Sequence, residues 1–205
     1  MTHTLDKNQF IELTQFGKEG RNLEFKRSTP WASNEFKSKI VKSILAFSNV
    51  RDGGAIVIGV ERQEDQSYKF VGITTEDLAT YVEDEIASVV AEYADPFVKF
   101  SMETAIVDEK TFLVIRVSQF DEIPVICKRD GQSNLRRGAI YTRTFRIPES
   151  AEVPSQTELR EILEMAVDNG IRRYYERQSR IGVKVSATTV VSDEEKFSAQ
   201  RGDIN

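Results

Sequence analysis

The sequence predicts a mixed α+β fold, with one sheet of about five or six strands and helices packed against it. Three observations carry this expectation. Ala55 to Val60 is a short, β-branched run flanked by glycines (Gly53, Gly54 and Gly59), the pattern of a buried strand. Phe36, Ile40, Ile44, Leu45 and Phe47 recur at helical spacing between Asn34 and Asn49. Phe97 to Val107 and Thr111 to Ser118 alternate well enough to pair across a turn at Asp108-Glu109-Lys110.

The remaining elements follow in chain order. Asn8 to Phe16 reads as a short helix with Phe10, Ile11 and Leu13 partly buried. Leu23-Glu24-Phe25-Lys26 alternates like a half-buried strand, with Leu23 and Phe25 on the core face, Glu24 and Lys26 on the other, and Pro30 ending it. The helix over Asn34 to Asn49 carries Lys37 and Lys42 away from its apolar stripe, which gives it a basic side. Thr74 or Thr75 caps a second helix, whose stripe is Leu78, Val82, Ile86, Val89, Val90 and Tyr93, with Pro96 beyond its end. Short strands are expected at Pro124 to Cys127 and Ala139 to Phe145. Ser155 and Glu158 have capping-box spacing and open a long helix to about Arg180, after which Val183 to Val191 reads as an added strand. Residues 15–150 form one domain in this reading. Residues 151–205 are an extension, either a dimerisation element or a cap on the same core.

A chain of 205 residues is long enough for one full core. No apolar run approaches the roughly 20 residues that cross a bilayer, and the start has no basic segment leading into an apolar one. Neither a membrane span nor a signal peptide is therefore expected. The single cysteine, Cys127, rules out an internal disulfide and suits a reducing cytoplasm. The single histidine, His3, falls in what reads as a frayed terminus, which argues against Ser-His-Asp, Cys-His and histidine-rich zinc chemistry. Net charge is −5, so indiscriminate coating of nucleic acid by a basic surface is not expected. Local charge differs from the total. From Ile123 to Arg146 six bases (Lys128, Arg129, Arg136, Arg137, Arg143, Arg146) face one acid, Asp130.

Chemistry without histidine needs carboxylates, lysine, tyrosine or a metal held by oxygen. Glu19 and Glu24 lie five residues apart in a loop and the following strand, and Glu61 ends a neighbouring strand. Three carboxylates from separate elements would suit Mg²⁺ or Mn²⁺, which could activate water or stabilise charge on a phosphodiester. The competing reading is exposed glutamates, Glu24 being paired with a nearby base. Lys26, Arg27, Lys37 and Lys42 would hold phosphates beside those carboxylates, or else are solvated lysines on an amphipathic helix. Arg136, Arg137, Tyr141 and Arg143 interleave cations with an aromatic ring, so that a base could stack on Tyr141 beside a gripped phosphate. Their alternative is a charge-protected sheet edge. Gly53-Gly54 is followed by no Gly-Lys-Ser/Thr, so a P-loop is rejected. Trp31 is read either as an exposed stacking residue or as core.

The order Glu19-x4-Glu24-Phe25-Lys26, helix, Ala46-Phe47-Ser48-Asn49, Gly53-Gly54, apolar strand, Gly59-Val60-Glu61 resembles the Schlafen AlbA-like family. Gly138-Ala-Ile-Tyr141-Thr-Arg143 resembles that domain's closing Gly-x-x-Tyr-x-Arg strand, so the likeness covers roughly residues 15–150. It implies an α+β nucleic-acid-binding domain. Some family members are metal-dependent endoribonucleases acting on transfer and ribosomal RNA through three acids. By position Glu19 and Glu24 match the first two acids. Glu61 stands where the family usually has aspartate, often as an Asp-Asp pair, and here Arg62 follows, with Glu64 or Asp65 as substitutes. Schlafen nucleases place two lobes around RNA, which implies a homodimer for a chain with one lobe. The leading expectation is a nucleic-acid-binding protein, with RNA favoured over DNA. It would cut structured RNA such as tRNA with Mg²⁺ or Mn²⁺, as a cytoplasmic stress or defence effector. The alternative is a non-catalytic DNA- or RNA-binding regulatory or scaffolding module.

Overall fold

The computed structural model describes residues 3–14, 17–145 and 148–180. Strand β1 (His3–Leu5) opens the chain and pairs in parallel with β7 further on, so the expected frayed terminus is instead a sheet edge. Helix α1 (Lys7–Thr14) follows, then β2 (Leu23–Lys26), α2 (Asn34–Ser48) and β3 (Gly54–Ile58). A hairpin of β4 (Val60–Arg62) and β5 (Tyr68–Phe70) leads to α3 (Thr75–Leu78) and α4 (Glu83–Tyr93). After β6 (Ala94–Asp95), the long strands β7 (Phe100–Val107) and β8 (Lys110–Val117) make the expected antiparallel pair. The chain then forms β9 (Ile126–Cys127), β10 (Tyr141–Arg143), β11 (Ser150–Glu152) and α5 (Gln156–Arg180). Val183 to Val191 and Arg146 lie outside the described residues.

The fold is α+β, built on a five-stranded mixed sheet in the order β1-β7-β8-β3-β2. β3 lies between β2, parallel to it, and β8, antiparallel to it. A strand paired on both sides and covered on both faces reads as a continuous apolar run. Ile56 and Ile58 face α2 in one core with Ile40, Ile44 and Phe47, while Ala55 and Val57 face α1 in a second core with Phe10 and Phe112. Each such fully buried aliphatic or aromatic side chain contributes about 1.5–3 kcal/mol over exposure. Trp31 belongs to the first core, beside Tyr81, and is not an exposed stacking residue.

The glycine pair before β3 serves packing rather than phosphate. Gly53 takes a left-handed φ of 66–70° in company with Asp52, and a Cβ on it would run into the Val117 carbonyl. A Cβ on Gly54 would enter the Phe47 ring, so the α2-to-β3 turn closes only on bare backbone.

The expected helix from Thr74/Thr75 to Tyr93 divides in two. Thr74 does cap α3, its hydroxyl accepting from Asp77 N–H at 3.1 Å. The break follows from tertiary contacts that periodicity cannot show. Thr80 Oγ1 donates to the Asp77 carbonyl and accepts from Trp31 N–H, and the Tyr81 hydroxyl donates to the Thr29 carbonyl at 2.7 Å. Val82, expected in the stripe, is exposed.

The chain divides after Asp168 into two units. The first contains the sheet and both cores, with Ile162 and Met165 of α5 among the buried residues. In the second, the described residues 169–180 complete α5, and the Tyr174 and Tyr175 rings meet edge to face at 5.8 Å.

Candidate functional site

The cleft that gathers the family's motif residues has a volume of about 820 Å³ and lies between α2, β2 and the segments flanking β10. Its floor is set by β2. Glu24 pairs in register with Ile56, so its side chain points to the α2 side of the sheet, as Lys26 does two residues on. The two expected acids Glu19 and Glu24 both line it, as do Lys26 and Lys42. Lys39, Glu35, Ser43 and the polar loop Gln132-Ser133-Asn134 complete much of the wall.

Glu24 is buried, not exposed, and its carboxylate is fully engaged. Oε2 accepts from Arg143 Nη1 at 2.9 Å, and Oε1 accepts from Ser43 Oγ at 3.0 Å and pairs with Lys26. Arg143 is 1% exposed; Nη2 also donates to the Gly20 and Leu23 carbonyls at 3.1 and 3.3 Å. Those carbonyls, at and just before the start of β2, also accept the Leu23 and Gly20 amides, so the guanidinium adds a second donor beside the last strand of the sheet. Burial pulls the Arg143 pKa below its ordinary value, and the Glu24 charge opposes that shift. Its Cζ stands 5.1 Å over the Phe47 ring.

Glu19 is likewise tied down. Its Oε1 accepts from Phe25 N–H at 2.8 Å, and it hydrogen-bonds the Tyr68 hydroxyl. Burial first, and then the Glu19 charge, push the Tyr68 pKa above the usual tyrosine value near 10. A phenol whose pKa rises on folding favours the folded state at neutral pH, and that contribution is lost as pH climbs past about 10. Glu19→Gln is expected to lower the Tyr68 pKa while leaving it above 10 because burial persists. Absorbance titration of the phenolate checks this, with Tyr68→Phe to assign the step. An unmoved midpoint would break the Glu19–Tyr68 link.

Three expected carboxylates do not converge. Glu61 lies exposed on β4, in register with Lys69 of β5, and does not line the cleft. The cause is Gly59, whose φ of 112° turns the chain out of β3 and into the separate β4–β5 hairpin. The substitutes Glu64 and Asp65 sit at the exposed end of that hairpin, where hydrogen bonds from Ser67 hold the Asp65 carboxyl below its ordinary pKa. Among the described residues, no three His, Cys, Asp or Glu side chains group closely enough to hold a metal ion. The donor chemistry agrees. A divalent cation needs several uncommitted oxygens, whereas both Glu24 oxygens already face cations or a hydroxyl. The residues present do not fit Mg²⁺ or Mn²⁺.

The expected cationic set also separates. Lys26 and Lys42 reach the cleft, with Lys42 Nζ 5.2 Å over the Tyr141 ring. Lys37 instead stands 5.6 Å over Trp31, and Arg27 is exposed outside the cleft. Tyr141 is not a stacking platform. It is buried, its hydroxyl donating to the Asn134 carbonyl at 2.7 Å and accepting from Arg136 N–H at 2.8 Å. Arg143 is not a phosphate grip, because its guanidinium is spent on Glu24 and two carbonyls. Arg136 and Arg137 are exposed away from the cleft, with Arg136 paired to Glu152 at 3.2 Å. Sequence reading missed Lys39, held by Glu35 at 2.6 Å. A helical wheel would have found it, since Glu35, Lys39 and Lys42 fall at i, i+4 and i+7 on one face, whereas Lys37 does not.

The Schlafen, AlbA_2 family matches residues 19–146, more than half of the chain. No curated protein matches it. A crystal structure from Corynebacterium diphtheriae is similar over 72% of this chain, at 14% identity and a TM-score of 0.45, and this chain spans 27% of that protein's length. The N-terminal domain of an ATP-dependent DNA helicase RecG-related protein from Nitrosomonas europaea is 24% identical, again with a TM-score of 0.45, covering 71% of this chain and 94% of that domain. Likeness at that level carries no argument about function. The family match rests on more than half of the chain, and Glu19, Glu24, Lys26 and Arg143 of the matched segment line one cleft: the chain belongs to the Schlafen AlbA_2 family.

Proposed function

We propose that the protein is a nucleic-acid-binding module that holds a phosphate backbone at the α2–β2 cleft without cutting it. One observation carries the reading: Glu24 is neutralised on both oxygens, with Lys26 spent on it, which leaves Lys42 and Lys39, the latter in an exposed and readily exchanged pair with Glu35, as the cleft's available chemistry. Lys26, Lys39 and Lys42 line one wall, and the amides and hydroxyls of Gln132, Ser133 and Asn134 line the other. Ammonium groups on flexible stems suit phosphate as point charges, and polar loop groups suit sugars and base edges. Glu35 and Glu149 also border the cleft, which suits a site that favours one backbone path over indiscriminate coating. RNA is the preferred ligand class in this proposal, since single strands and loops offer unstacked edges to such a wall.

The test measures anisotropy with labelled tRNA, single-stranded RNA and duplex DNA across a salt series, with Mn²⁺ and with chelator. Binding is expected to weaken steeply with salt and to be indifferent to chelator. Lys39→Gln with Lys42→Gln should lower affinity about tenfold and reduce the salt slope by about two. Arg27→Gln with Arg137→Gln, outside the cleft, should change it little. Loss in the second pair and not the first would move binding elsewhere. Mn²⁺-dependent scission that disappears in Glu24→Gln would replace this reading with hydrolysis.

A further inference from the structure

Taking the α2–β2 cleft as the phosphate site proposed above, we propose that Phe145 is a stacking platform for an unpaired base of the strand that leaves it. Phe145 lies two residues past β10 and is 54% exposed. That exposure remains although Arg21 covers one face of the ring, its Cζ 3.7 Å from the centroid. The other face is therefore the open one.

The ring is held in place from two directions. Arg21 Nη1 donates to Glu161 Oε1 at 2.8 Å, Nη2 pairs with the second oxygen of that carboxylate, and Nε donates to the Arg143 carbonyl at 3.2 Å. The Phe145 N–H donates to the carboxylate of Glu158, which is buried. A ring backed by a fixed, planar guanidinium loses little freedom when a base settles on its free side, so more of the stacking energy appears as affinity. An aromatic ring that served only as surface would need no such backing.

Its position connects it to the cleft. Phe145 lines two hollows, of about 570 and 450 Å³, and Glu149 lines both the larger hollow and the cleft. The three surfaces therefore adjoin along one path. Charge on this stretch is balanced, Arg51 and Arg160 standing against Glu149 and Glu164, with Arg51 also 3.4 Å from Asp168. Such a surface does not draw phosphate by itself, and the cleft lysines supply that force. Stacking needs no net charge and accepts any base, since every base has a π face. Bases inside a duplex have no free face, so the ligand class this selects is a single-stranded segment or loop.

The test compares a ten-nucleotide oligouridylate with an abasic strand of the same length, which keeps the charge and removes the bases. The wild type is expected to bind the oligouridylate about tenfold more tightly. Phe145→Leu should lose most of that preference and keep the salt slope, because no phosphate contact is removed. Its far-ultraviolet circular dichroism should not change, since the side chain is exposed. Phe145→Trp should retain the preference, because the indole also offers a flat face. A Phe145→Leu protein that keeps the preference overturns the proposal, as does one that binds both strands equally weakly together with Phe145→Trp. A reduced salt slope in Phe145→Leu overturns it too, by making the residue part of the electrostatic contact. The two readings fail separately. Weakened binding in Lys39→Gln with Lys42→Gln, with the preference intact in Phe145→Leu, removes the platform alone. No binding of either strand by the wild type removes the cleft reading and the platform together.

Discussion

Arg143→Met is expected to lower the unfolding free energy by about 3–5 kcal/mol, the cost of leaving one partner of a buried ion pair alone. Glu24 would keep Ser43 and Lys26, but the Gly20 and Leu23 carbonyls would each lose their second donor and keep only the backbone N–H that each accepts from the other residue. Methionine retains much of the apolar stem and gives up the guanidinium over Phe47, so the loss reports charge and hydrogen bonds more than volume. Glu24→Leu combined with Arg143→Met should recover part of the loss, since it removes the buried carboxylate left without its guanidinium, although Lys26 then loses its partner. The second hydrogen bond to the Gly20 and Leu23 carbonyls stays missing, so recovery is incomplete. Urea unfolding of the wild type, both single variants and the double variant gives the coupling energy directly. A single-variant loss under about 1 kcal/mol would show that the pair is no strut. It would also reopen Glu24 as a free carboxylate.

Asn49→Ala is expected to cost about 3–5 kcal/mol, by a different route, because it strands several buried backbone groups at once. Asn49 is fully buried at the end of α2. Its Nδ2 donates to the carbonyls of Val125 at 2.8 Å, Tyr141 at 2.9 Å and Leu45 at 3.3 Å, and its Oδ1 accepts from Val125 N–H at 2.8 Å. One amide therefore joins α2 to the segment before β9 and to β10. Asn49→Asp keeps the acceptor but turns an oxygen toward the carbonyls, so at neutral pH it should be at least as damaging as alanine. Burial against carbonyl oxygens favours the protonated acid, so the folded pKa of that aspartate would rise. Stability should then return in part as pH falls toward the ordinary carboxyl range, and be absent at pH 7. Thermal unfolding at pH 4 and pH 7 for both variants checks the sign. Equal destabilisation of Asn49→Asp at both values would contradict the role given to Nδ2.

These two residues also show how a motif can be read for the wrong job. Phe-Ser-Asn and Tyr-x-Arg were visible as recurring residue types, and the strand and helix that carry them were placed nearly to the residue. Tyr141 and Arg143 were expected to face ligand because cations interleaved with an aromatic ring commonly do. In the fold they are buried against Asn134, Glu24 and the β2 edge. Nothing local distinguishes the two outcomes, since residues 24 and 143 are brought together only by the way β10 packs on α2.

What the residues settled by themselves is what depends on short-range physics. Period-two and period-3.6 patterning specified the main strands and helices, Thr74 capped where capping rules place it, and Gly53-Gly54 marked a turn without phosphate chemistry. Tertiary structure alone decided which charges are available. Burial and pairing turned Glu24 and Arg143 from candidate reactive groups into a strut. The turn at Gly59 carried Glu61 away from Glu19 and Glu24. Packing of Thr80 and Tyr81 divided one amphipathic stripe into two helices. The reason is the same in each case. A side chain's type fixes its chemistry, but its solvation and its neighbours, which depend on residues a hundred positions away, fix whether that chemistry is free to act.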